Sequence, residues 1–127
     1  MNIVKRIIIS ELMWPSGVKL LEAEKGVLYD ASLWKDRPRL LSHLAECTAL
    51  IVRNQTQVNE EVLGAAPKLK VVGRLGVGLD NLHRPALEQR GITVVYGGNA
   101  NALSVAEYTL AAMLALLTCM TWGQPRA

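Results

Sequence analysis

Short runs of β-branched residues alternate with segments of helical spacing along the whole chain, and this rhythm constrains the fold more than any other feature. The apolar runs Ile3 to Ile9, Val27 to Tyr29, Ala49 to Val52, Lys70 to Leu75 and Ile92 to Val95 have the length and branching of buried strands. Between them, Ser16 to Glu24, Lys35 to Ala45, Glu60 to Ala66 and Pro85 to Gln89 carry apolar residues at helical spacing. A longer helix is predicted over Ser104 to Met120. A strand followed by a helix about every 22 residues is the repeat of βα units wound into a parallel sheet. No residue pattern recurs from unit to unit, so the repeat is one of topology. With 127 residues, half of them hydrophobic, the chain has material for one core and one domain.

Helix ends carry their own signals. Asn59 stands where a side-chain oxygen can cap the helix whose first turn holds Glu60 and Glu61, and Pro67 closes it. The last helix is predicted to open on a capping box, Ser104-Val105-Ala106-Glu107, with Leu103 and Tyr108 as its hydrophobic staple. From Val105 to Leu117 that helix is apolar on almost every face. Such a helix is either the centre of a core or one that packs on a second domain or subunit.

Charge and cysteine usage exclude several classes. Fourteen basic and eleven acidic residues give a net charge of +3, and the positive residues are scattered, which argues against nucleic acid. Cys47 and Cys119 lie apart in apolar segments without CxxC spacing or histidines at ligand distance, so free thiols in a reducing cytoplasm are expected and no metal site. Lys5 and Arg6 interrupt the opening MNIVKRIIIS, which speaks against a secretion signal. The apolar run from Leu110 to Met120 falls short of the roughly 20 residues of a membrane span, so a soluble protein without membrane contact is expected.

In a parallel α/β sheet, ligands gather where strands end and helices begin. Three loops occupy such places: Val52 to Val58, Gly73 to Asn81, and Tyr96 to Ala102. Gly76 and Gly78 let the amides of Val77 and Gly78 turn toward a small anion, or else make a tight turn only. A dinucleotide fingerprint would need glycine where Asn81 stands. Arg53 and Arg74 sit at strand ends and suit bidentate carboxylate binding; alternatively Arg53 is solvated and Arg74 pairs with Asp80. Asn101 either meets a ligand or caps its own turn. His83 precedes Arg84 and Pro85 without an acidic orienting partner beyond Asp80, and His43 lies inside a helix, so no catalytic base is assigned.

The segments LKVVGRLGVGLDN and RGITVVYGGNANALSVAEYTLAAMLALL, between Leu69 and Leu117, closely resemble the N-terminal region of the D-isomer-specific 2-hydroxyacid dehydrogenases, such as phosphoglycerate dehydrogenase. IVRNQTQV resembles the same family's loop after the third strand, and with the opening ISE it is more similar to the sulfolactate dehydrogenase branch.

The resemblance implies a flavodoxin-like, five-stranded parallel sheet with helices on both faces, followed by a long apolar C-terminal helix. Residues 1–101 would form a substrate-binding domain, and 102–127 the first helix of a nucleotide-binding domain. Arg53, Arg74, the backbone at Val77 and Gly78, and Asn101 would line the substrate side of a cleft for a small 2-hydroxy or 2-keto acid. The family's cofactor is NAD, its nucleotide loop and catalytic arginine, glutamate and histidine lie beyond the matched stretch, and none is assigned here. The implied picture is a truncated portion that is inactive alone, binds no cofactor by itself, and forms a homodimer through the Ser104 to Met120 helix. The alternative is a stand-alone module that captures small carboxylates without turning them over. His83 stands where family members commonly carry an acidic helix cap.

Overall fold

The computed structural model describes residues 6–24 and 26–122. They divide into two compact units, the first ending at Gly97 and the second beginning at Gly98.

In the first unit, the strands are β1 (Ile7–Ile9), β2 (Val27–Tyr29), β3 (Ala49–Val52), β4 (Val71–Arg74) and β5 (Thr93–Tyr96). Alternating with them are α1 (Pro15–Glu22), α2 (Arg37–His43), α3 (Glu60–Ala65) and α4 (Arg84–Gln89), with a single 3-10 turn at Leu33–Lys35 before α2. All five strands are parallel, in the order β2-β1-β3-β4-β5. This is the parallel sheet that the alternation of elements predicts, in the flavodoxin-like form that the resemblance implies. The part of the first predicted strand before Arg6 lies outside the described residues, and β1 proper starts at Ile7.

Register explains the core. Leu28, Ile8, Leu50, Val72 and Val94 are paired across the five strands and form one apolar row. Ile8, Leu50 and Val72 are fully buried there in one cluster with Leu40 of α2 and Leu44 at its end, Val62 and Leu63 of α3, and Leu87 of α4. Val18 of α1 is buried but stands outside that cluster. Right-handed crossovers account for this: the step from β1 to β2 runs opposite to all later ones, so α1 covers the other face.

Helix ends obey local chemistry. Asp36 caps α2 by accepting from the N–H of Arg39 at 3.1 Å, and Asn59 caps α3 by accepting from that of Val62 at 3.2 Å. Arg37 fastens the two helices together by donating to Glu61, to the carbonyl of Gln57 and to Asn59. At the other end of α3, Arg90 donates to the carbonyls of Leu63 and Ala66.

The described residues of the second unit are a short turn from Gly98 to Asn101 and one helix, α5 (Ala102–Trp122). It begins two residues before Ser104, so the predicted capping box does not form: Ser104 lies inside the first turn, and Asn101 takes the preceding position, its carbonyl accepting from the N–H of Val105 at 2.9 Å. The hydroxyls of Thr109 and Thr118 donate to carbonyls one turn back, at 2.7 and 2.8 Å, which hides polar groups in an already apolar helix. Its window Ala102–Cys119, with mean hydropathy 1.6, is long and apolar enough to cross a membrane by length and composition. The apolar run looked too short when measured from Leu110; measured along the helix it is not. A core helix of a soluble protein has the same composition, so this property does not distinguish the two.

Candidate functional site

The order β2-β1-β3-β4-β5 reverses direction between β1 and β3, and at such a switch point the loops leaving the strand ends separate and open a crevice. A cleft of about 530 Å³ lies there, walled by Leu12, Met13, Trp14, Pro15, Ser16 and Gly17 of the β1–α1 loop and helix start, with Arg53 after β3 and Leu75 after β4. Pro15 suits the first helical position because its missing N–H would be unpaired there in any case. Trp14, immediately before it, is 84% exposed. Arg53 is the only charged residue in the lining.

Under Arg53 the loop is pinned by Glu11, a residue that inspection of the sequence did not single out. Glu11 is 2% exposed, and its carboxylate accepts main-chain N–H groups from Arg53 at 2.9 Å, Asn54 at 3.2 Å, Gln55 at 3.1 and 3.2 Å, and Thr56 at 2.8 Å. Burial pushes this carboxyl up, but the bonds from Thr56, Arg53 and Gln55 outweigh it, and the group is held below the ordinary carboxylate value. Beside it the hydroxyls of Ser10 and Thr56 are 2.8 Å apart. Asn81 closes the arrangement from the loop after β4: its amide nitrogen donates to the carbonyls of Arg53 at 3.0 Å and Thr56 at 2.8 Å. Signals for this cluster were present as Ser10-Glu11 directly after an apolar strand, where a carboxylate must find donors.

The glycine-rich loop after β4 is built around Arg74. Gly76 adopts φ 145°, and a β-carbon there would lie 1.9 Å from Nη1 of Arg74, so no other residue fits without displacing the guanidinium. Gly97 approaches from β5 and donates to the carbonyl of Gly76 at 2.7 Å. Gly78 does not use its conformational freedom; a β-carbon there would meet Oδ1 of Asp80 at 3.0 Å. Val77 and Gly78 are exposed residues, and their amides donate to no protein acceptor among the described residues.

The sequence-predicted site residues therefore separate into groups. Arg53 lines the cleft. Arg74 does not; its Nη1 donates to the carbonyl of Leu75 at 3.0 Å, its Nε is buried without a partner, and it makes no ion pair with Asp80. Val77 and Gly78 follow one turn further on from Leu75, which itself borders the cleft. Asn101 belongs to the second unit and precedes α5. His83 is exposed at the start of α4 and makes no side-chain cap.

A nicotinamide dinucleotide does not fit the groups described. The glycine-rich turn after β4 lacks the third glycine at Asn81, is filled by the Arg74 guanidinium, and reaches a helix only at Arg84, while the turn after β5 carries Gly97 and Gly98 without the GxGxxG spacing. That helix spans 6 residues. Among the described residues no group of acidic, histidine and cysteine side chains is arranged to hold a metal ion.

Residues 7–121 match the family profile described as D-isomer specific 2-hydroxyacid dehydrogenase, catalytic domain. Over 120 residues the chain is 46% identical to (S)-sulfolactate dehydrogenase of Chromohalobacter salexigens, covering 94% of this chain and 39% of that protein. It is 43% identical over 109 residues to D-3-phosphoglycerate dehydrogenase of Mycobacterium tuberculosis H37Rv, covering 86% of this chain and 20% of the relative. The chain thus spans well under half the length of these relatives. Among solved structures, a dehydrogenase from Rhizobium meliloti superposes with TM-score 0.67 at 28% identity over 91% of this chain and 42% of the other. D-lactate dehydrogenase from Aquifex aeolicus, crystallised with NAD and lactic acid, superposes with TM-score 0.73 over 91% of this chain and 34% of the other, and at 21% identity shows a shared fold.

Proposed function

Because the chain belongs to the D-isomer specific 2-hydroxyacid dehydrogenases, we propose that its first unit is the substrate-holding portion of an NAD-dependent oxidoreductase acting on a small 2-hydroxy or 2-keto acid. The observation that carries this reading is that the amides of Val77 and Gly78, in exposed residues that follow cleft-lining Leu75 in the loop after β4, have no protein acceptor among the described residues. Two main-chain donors suit a carboxylate, and Arg53 supplies a countercharge in an otherwise apolar crevice. Arg74 contributes by holding the loop from behind with its guanidinium against Gly76.

The contribution of these residues is orientation: a bound acid held by one end presents its C2 in a fixed direction. Among the described residues, no side chain in the cleft suits proton transfer, and we assign hydride and proton transfer to parts of the family fold outside this stretch. In the same proposal residues 102–127 begin the nucleotide-binding domain, α5 pairs two copies, and the protein works in the cytoplasm. The apolar composition of α5 on all sides supports the pairing.

Thermal melting with a panel of glycolate, lactate, glyoxylate and pyruvate tests the reading. A saturable rise in melting temperature is expected for at least one acid, lost in Arg53→Ala, because a ligand stabilises only the state it binds. A panel that leaves the wild type unmoved would refute the substrate-holding role, and tight binding of NADH by these residues alone would refute the division of labour.

A further inference from the structure

The most completely built anion site among the described residues is filled by the protein itself. Four consecutive N–H groups, from Arg53 to Thr56, converge on the carboxylate of Glu11, and Gln55 reaches both of its oxygens. Successive amides turned to one point form a concavity that favours negative charge. No lysine or arginine among the described residues pairs with Glu11, so the buried charge is met by main-chain dipoles and neighbouring hydroxyls. A glutamine cannot substitute: it brings one acceptor oxygen and an NH₂ group, and that NH₂ would face N–H donors.

The same loop is held from its carbonyl side. Asn81 donates to the carbonyl of Arg53, while Glu11 accepts from the N–H of the same residue. Arg53 is thereby fixed at both ends of its own main chain, and its side chain leaves that clamped position to line the cleft.

We propose that Glu11 is the resident anion of a backbone-amide site in the β3–α3 loop and the positioning residue for Arg53, and that removing its side chain opens a site for a small free carboxylate such as formate. The positioning half rests on the reading of Arg53 as a substrate contact; the site-filling half does not. Glu11 touches no substrate in this scheme. It acts through the loop.

Melting of wild type, Glu11→Ala and Glu11→Gln in sodium formate and in sodium chloride of equal ionic strength tests the site-filling half. Both variants are expected to melt below wild type. Glu11→Ala recovers saturably in formate and not in chloride, whereas Glu11→Gln does not recover, because its own side chain still blocks the nest. Amide proton resonances of residues 53–56, shifted by the loss of the carboxylate, return toward wild-type positions in the formate-loaded alanine variant. A formate response of Glu11→Ala no larger than that of wild type overturns the proposal. If the alanine variant does not fold, Glu11→Gln decides: unchanged 53–56 amide resonances relative to wild type overturn it, and displaced ones uphold it.

The positioning half is read separately, with glycolate as probe, first without formate and then at one fixed formate concentration. Affinity is expected to drop about tenfold without formate in Glu11→Ala and to return with it, while Arg53→Ala stays weak in both. Affinity in Glu11→Ala that stays at the wild-type level overturns positioning. A wild type that binds no acid overturns the substrate-holding function and leaves the formate result to stand or fall by itself.

Discussion

The amide nitrogen of Asn81 reaches 2.8 Å to the carbonyl of Thr56, joining the loop after β4 to the loop after β3. Asn81 is 3% exposed, and the same nitrogen also serves the carbonyl of Arg53, so one NH₂ group satisfies two carbonyls that no strand pairing reaches. Asn81→Ala leaves both without this donor and is expected to cost about 1–3 kcal/mol, seen as a lower urea midpoint. Asn81→Asp should cost more, since a carboxylate offers only acceptors to two carbonyls. A variant order with alanine worse than aspartate would contradict this account of the contact.

Acid should release the Glu11 pin. Its carboxyl is held below its ordinary value in the folded protein, after burial and hydrogen bonding are set against each other. A group with a depressed folded value stabilises fully above the unfolded carboxylate value, and that stabilisation is lost as pH falls through the folded value. Asp30, whose carboxyl is lowered by hydrogen bonds from Ser32 and by Arg39, adds a contribution of the same sign. Urea unfolding between pH 7 and pH 3 should therefore show a steeper loss in wild type than in Glu11→Gln. Parallel curves would count against the assignment.

Two glycine-to-alanine substitutions should have opposite signs. Gly76→Ala meets both the φ of 145° and the Arg74 guanidinium, and is expected to destabilise by roughly 1–3 kcal/mol. Gly64, in the last turn of α3, has open space where a β-carbon would stand, and Gly64→Ala is expected to stabilise by about 0.4–1 kcal/mol through the unfolded chain. Thermal melts of the two variants check both signs at once.

Cys47 should be chemically silent until the first unit opens. It is buried, and burial pushes its thiol up to about 11, with its Sγ 3.2 Å from the carbonyl of Ala49. In a Cys119→Ser variant, iodoacetamide at neutral pH is expected to label Cys47 at the rate of unfolding, because the thiolate is the reactive form. Prompt labelling of the native protein would show this part of the core to be open.

The strands were legible because each is a run of branched apolar residues, and parallel pairing buries both faces of the inner ones. Element positions were legible to within a few residues: Ser16 to Glu24 became Pro15–Glu22, and Lys35 to Ala45 became a turn plus Arg37–His43. Asn59 worked as a cap, but the equally good pattern at Ser104 did not, since the helix continues back to Ala102 and places the serine within its first turn. Arg53 was legible as a strand-end arginine facing a crevice. Arg74 carried the same signal and turned inward, because the glycines beside it leave room for a guanidinium. Glu11 was legible only as a carboxylate directly after an apolar strand; its partners were not, since they are main-chain groups and main-chain donors leave no trace in residue type. The same holds for the cleft wall from Leu12 to Gly17, which is only a wall once β1 and β3 are neighbours.

The distance along the chain between Glu11 and its donors also bears on how the protein is made. The carboxylate and the N–H of Arg53 are separated by 42 residues. Closing so long a loop costs entropy before any contact rewards it, and nonlocal parallel pairing is slow for that reason. On a ribosome, Glu11 would emerge well before the amides that receive it and remain hydrated until β3 and its loop had followed. The nest then forms late, as a latch that closes when β1 and β3 are already side by side, which places Glu11 among the contacts that slow unfolding more than they speed folding.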